Sequence, residues 1–139
     1  MKTHSKFHQK MLPLTTVLLL SLFLFSCGDG TQQAKRQLEE VKEDTELQIK
    51  LLRNDIEERI EYLDEQIEEA SGELEEELKE ARKALKEQQE RIDQEIKNVK
   101  GATLETWESV RANVQESYQK ARTKTNEVSK KVREMIEGE

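Results

Sequence analysis

The sequence predicts an all-α protein in which a long amphipathic helix folds back as an antiparallel, coiled-coil-like helical hairpin. Three observations carry this. Stripe residues recur from Leu38 to Val99 in 17 steps over 61 residues, about 3.6 per step, the period of an α-helix. No proline follows Pro13. A small-residue interruption, Gly101-Ala102-Thr103, is followed by a second stripe in the same period.

Residues 1–26 read as a signal peptide, with a helical apolar segment. Lys2, Lys6 and Lys10 stand before any acid, residues 14–25 are an almost unbroken apolar run, and Ser26 places a small residue directly before the only cysteine, Cys27. A run of about 12 residues is too short to cross a bilayer core, for which a helix needs about 20. Gly28-Asp29-Gly30-Thr31-Gln32-Gln33 follows, so residues 27–33 are expected to form a flexible tether.

The long helix is expected over 34–100. Its stripe runs through Leu38, Val41, Thr45, Ile49, Leu52, Ile56, Ile60, Leu63, Ile67, Ala70, Leu74, Leu78, Ala81, Leu85, Gln88, Ile92, Ile96 and Val99, with Thr45 and Gln88 as its polar members. The heptad phase shifts between Leu74 and Leu78 and between Ile92 and Ile96, which predicts a nearly straight helix or an irregular coiled coil. Ser71-Gly72 is a second candidate break, because glycine costs about 1 kcal/mol relative to alanine inside a helix. Acid-before-base pairs four apart support helix throughout: Glu46/Lys50, Asp55/Arg59, Glu75/Lys79, Glu87/Arg91, Asp93/Lys97, Glu116/Lys120 and Glu127/Lys131.

Residues 101–103 are expected to turn, and residues 104–137 to form the second amphipathic helix, with Leu104, Trp107, Val110, Val114, Tyr118, Ala121, Thr125, Val128, Val132 and Met135 on its stripe. Residues 57–80 hold twelve acids against Arg59 and Lys79, whereas residues 120–133 hold six bases against Glu127. A hairpin turning near residue 101 would set the basic block beside residues 69–82. It would also leave residues 34–60 without an intramolecular partner, so a partner helix or self-association is expected to cover their stripe.

Composition narrows the function. Both histidines, all three phenylalanines and the proline precede Cys27, and loss of the leader leaves 20 basic against 30 acidic residues, a net charge near −10. Nucleic acid is not an expected partner for such a surface. Without histidine or a free thiol after Cys27, Ser-His and Cys-His nucleophiles are excluded, and no enzymatic activity is expected. Carboxylate pairs such as Glu57/Glu61 and Glu65/Glu69 lie at helical spacing on a face expected to be solvated. No catalytic, cofactor-binding or metal site and no small-molecule substrate is expected from these residues.

Leu24-Phe25-Ser26-Cys27 resembles the lipobox of bacterial lipoprotein precursors, with Phe25 bulkier than usual at its position. The resemblance implies that the Cys27 thiol receives diacylglycerol through a thioether, that the peptide is cut before it, and that acyl chains such as palmitate hold the protein on a cell membrane. Each buried CH₂ contributes about 0.8 kcal/mol. Gly28 rather than an acid follows the cysteine, which in the enterobacterial pattern favours the outer membrane of a Gram-negative cell. The body, across roughly residues 50–125, resembles small bacterial helical coiled-coil proteins of envelope or stress function through its Glu/Lys/Leu-rich helix, small-residue break and Trp107-Glu108 segment. These resemblances imply a structural or interaction module in the cell envelope. The alternatives are an amphipathic, apolipoprotein-like lipid-surface binder or a stress-protective helical protein. Covalent wall linkage of the kind some small lipoproteins make through a C-terminal lysine is not expected from the ending Glu137-Gly138-Glu139.

Overall fold

A computed structural model describes residues 26–138, with side chains from Gly30 onward. Residues 1–25 of the expected signal peptide lie outside the described residues. The chain divides between Arg36 and Gln37 into two units. In the first, the described backbone from Ser26 onward is helical, so the segment expected as a tether has helical backbone. The second unit is a bundle of three helices: α1 (Ser26–Glu69, entering the unit at Gln37), α2 (Glu73–Gly101) and α3 (Trp107–Glu137).

The all-α class and the fold-back at Gly101 are therefore present, and the second candidate break is used as well. The segment expected as one helix over 34–100 ends at Glu69 and restarts at Glu73. Gly72 stands between them with φ +67° and ψ −135°, a conformation glycine adopts without the Cβ penalty of other residues. Glu73, Glu75 and Glu76 then occupy the first turn of α2, where negative charge complements the helix dipole.

Cross-helix bonds fix how α1 and α2 run. Arg53 Nε donates to Asp93 Oδ1 at 2.7 Å, Arg82 donates to Asp64, and Lys100 Nζ lies 3.5 Å from Glu46 Oε1. In all three pairs the residue numbers sum to 146, the signature of one antiparallel register. Helix α3 returns beside α2, with Ser117 Oγ donating to Glu95 Oε1 at 2.7 Å, and runs parallel to α1, with Arg59 donating to Ser129 seventy positions on.

The stripe supplies the core. Ile49, Leu52, Ile56, Ile60 and Leu63 of α1 are buried, with Leu78, Leu85, Ile92 and Val99 of α2 and Val114, Ala121, Val128 and Val132 of α3. The expectation that residues 34–60 lack an intramolecular partner is corrected for residues 45–60: the break at Gly72 lets α2 fold back over them, and α3 closes the remaining side. The polar interruptions are accommodated differently. Thr45 Oγ1 donates to the Val41 carbonyl at 2.7 Å, Gln88 is buried, and the fully buried Thr125 hydroxyl has no hydrogen-bond partner.

The second turn is longer than the expected 101–103. Helix α2 includes Gly101, and α3 starts at Trp107 rather than at residue 104. Thr103 N–H donates to Thr106 Oγ1 at 2.9 Å and the two threonine hydroxyls lie 3.2 Å apart, bonds that compete with helical continuation. This moves the centre of the α2–α3 hairpin toward residue 106. The Glu95–Ser117 register consequently sets residues 120–133 beside roughly residues 79–92 instead of 69–82. That stretch of α2 carries Lys79, Arg82, Lys83, Lys86 and Arg91, so the expected opposition of charge blocks is not formed. Lys120, Lys124 and Lys130 pair within their own helix, with Glu116, Glu127 and Glu134. Exposed pairs are worth about 0–1 kcal/mol, too little to set a register against apolar packing and turn geometry.

Candidate functional site

Cys27, the one sequence-predicted site residue, falls in the first turn of α1. Described side chains begin three positions later, at Gly30, so the expected lipidation site lies outside the described side chains.

Within the bundle, a groove of about 360 Å³ lies between α1 and α3, over Leu85 of α2. Leu63, Leu85, Val128 and Val132 contribute its apolar lining, and Tyr62, Arg59 and Arg133 its polar surroundings. Arg59 is already engaged: it donates to Asp55 Oδ2 at 3.0 Å and to Ser129. Glu58 and Glu137 also line the groove, so both signs of charge meet at one site without selecting a ligand of either.

The polar groups joining helices form a second constellation. Lys42 Nζ donates to the Lys100 carbonyl at 3.2 Å and the Ala102 carbonyl at 3.1 Å, and its side chain is only 12% exposed. An ammonium there meets carbonyls that the end of a helix leaves without intrahelical partners, and complements the negative end of the α2 dipole. Arg53 bridges Asp93 and Glu57, and the hydrogen bond to Asp93, followed by that to Glu57, raises its pKa above the usual arginine value. Glu46 accepts from Lys50 at 2.5 Å and lies near Lys100; the Lys50 bond is the main cause of its lowered pKa.

Four of the seven expected acid-before-base pairs form: Glu46/Lys50, Asp55/Arg59, Glu75/Lys79 and Glu116/Lys120. Asp93 turns instead to Arg53 on the neighbouring helix, and Glu127 to Lys124. Spacing along one helix identifies partners on that helix and carries no signal for Lys42, Arg53 or Arg82, whose bonds cross between helices. Glu57 is engaged by Arg53, while Glu61, Glu65 and Glu69 are exposed. Among the described residues, no group of three His, Cys, Asp or Glu could hold a metal ion, and no helix is long and apolar enough to cross a membrane.

Large apolar side chains remain exposed on α1: Leu47 at 58%, Leu51 at 61% and Tyr62 at 47%. Leu47 and Leu51 are one helical turn apart, outside the stripe that faces α2 and α3. No family model, curated protein or solved structure matches this chain.

Proposed function

We propose that the chain is a membrane-anchored lipoprotein whose three-helix body acts as a structural or interaction module in a bacterial cell envelope. The observation that carries this is Leu24-Phe25-Ser26-Cys27 at the end of an apolar run too short to span a bilayer. The bundle supports the same reading from the other side. Its stripe is spent on internal packing, so the body keeps no continuous apolar face for a bilayer, and acyl chains on Cys27 supply the membrane affinity.

In this role the body performs no chemical reaction. Its outer surface, acidic overall and broken by Leu47, Leu51 and Tyr62 on α1, meets other envelope components, a partner helix among them, while the lipid keeps the protein on a cell membrane. With Gly28 after the cysteine, the outer membrane is the favoured address in a Gram-negative cell. Lipid-surface binding through the stripe would first require the bundle to open, at the cost of the core.

Metabolic labelling with radioactive palmitate tests the anchor. Label should enter the wild-type chain and disappear in Cys27→Ser, with the variant left uncut before residue 27. Undiminished labelling of the variant overturns the proposal.

A further inference from the structure

The turn between α1 and α2 has an unusual relation to the core it serves. Leu63, Ile67, Ala70, Leu74 and Leu78 continue one stripe across it at helical spacing, as if the turn were absent. Steps of four, three, four and four residues keep all five side chains within about an 80° sector of a straight helix. Gly72, at φ +67°, is held in a conformation foreign to a helix. A Cβ there would meet nothing within 4 Å, so space does not enforce the turn.

We infer that the bundle is built to exchange α1 with a second copy of the same chain, through straightening of Ser71-Gly72 into helix. The register makes this possible while remaking the contacts of the closed bundle. Because α1 and α2 pair at numbers summing to 146, a straightened α1–α2 rod pairs with its twin about a two-fold axis at residue 73. Arg53–Asp93, Asp64–Arg82 and Glu46–Lys100 are then remade between chains. Helix α3 stays beside its own α2 and packs on the partner's α1, which remakes the Arg59–Ser129 bond between chains as well. The closed monomer and the exchanged dimer thus share one core and differ at the hinge, the condition under which short turns exchange.

The acidic residues around the hinge set the balance. Glu69 lies opposite Glu77 in both forms, because their numbers also sum to 146, but in the dimer the two copies of Glu73 face each other across the axis, an approach the monomer lacks. Like charges at such spacing oppose association and are screened by salt. The monomer is therefore the resting form at low ionic strength, and salt shifts the population toward the dimer. The inference rests on the bundle alone and is independent of lipid attachment at Cys27.

The test uses the full chain with Cys27→Ser in nonionic detergent. Isotopically light and heavy chains are unfolded together, refolded, and coupled with a zero-length carbodiimide reagent, which joins Glu46 to Lys100. In the monomer both halves of the linked peptide carry the same isotope. Ser71→Ala combined with Gly72→Ala removes the glycine preference for positive φ and favours helix at both hinges of the dimer, raising the association constant roughly a hundredfold or more. The expected result is mixed-isotope linkage approaching about half of the product, as random pairing in a two-fold dimer requires. A refolded double variant with undiminished helical circular dichroism and unmixed linkage overturns the inference. Should that variant not refold, the Cys27→Ser parent refolded at high protein concentration in molar salt gives the same readout, and unmixed linkage there overturns it equally.

Discussion

The two turns of the bundle reverse the chain in opposite ways. Between α1 and α2, the reversal uses Gly72 at positive φ, the flanking residues Ser71 and Glu73 are exposed, and acids crowd both sides. Between α2 and α3, it is held by the Thr103–Thr106 bonds, by Lys42 reaching across from α1, and by Ala102 and Trp107 buried in the core. The first turn is a local backbone choice and the second a tertiary one. A local choice can be undone without dismantling the core, whereas the second cannot.

The largest effect expected from this contrast is at Trp107, which is 8% exposed at the first position of α3. Trp107→Ala should lower unfolding stability by about 3 kcal/mol or more, since it removes a large buried ring and leaves a cavity. Urea denaturation followed by circular dichroism measures it. Ser71→Ala at the exposed turn should change the midpoint of the same transition little, and equal losses at the two sites would erase the distinction between the turns.

Next in size is Lys42→Met, which keeps most of the aliphatic stem while removing the ammonium that donates to Lys100 O and Ala102 O. A loss of about 1.5 kcal/mol is expected, in the range for hydrogen bonds to charged groups. Amide exchange should sharpen the comparison: protection should fall at residues 99–107 and stay unchanged at residues 69–73. A uniform loss over both turns would mean that Lys42 contributes to the bundle generally and not to the second turn.

The same contrast explains what could be read from the sequence. The stripe from Leu38 to Val99 located the core, and both breaks were visible as Ser71-Gly72 and Gly101-Ala102-Thr103. Whether the first break is used was not legible, because Ile67, Ala70, Leu74 and Leu78 satisfy a straight helix as well as a bent one. The path of α3 was legible, but its register was not. Opposite charge blocks suggested residues 69–82 as its neighbour, whereas the threonine turn and apolar packing place it beside 79–92. The sequence carries no signal for Lys42, since nothing local announces that it will meet two carbonyls 58 and 60 positions away.

The smallest expected effect concerns pH, and it separates the ion pairs near the second turn from its hydrogen-bonded frame. Glu46 has a lowered pKa, first through its bond with Lys50 and further through Lys100 on α2. A carboxyl whose pKa is lower folded than unfolded holds fewer protons in the native state. Its stabilising contribution is therefore present above the unfolded value, about 4.3, and is lost as pH falls through the lower folded value. Glu46→Gln should cost only about 0.3–0.5 kcal/mol at neutral pH, the size typical of partly exposed helix pairs. The difference between wild type and variant should hold constant from neutrality to about pH 5 and vanish in stronger acid. High salt should reduce it as well, while leaving the effect of Lys42→Met largely intact, because the Lys42 side chain is mostly buried. If the Glu46→Gln difference survives unchanged in acid, Glu46 acts through packing or helix propensity, and its link to Lys100 contributes nothing to holding α2 on α1.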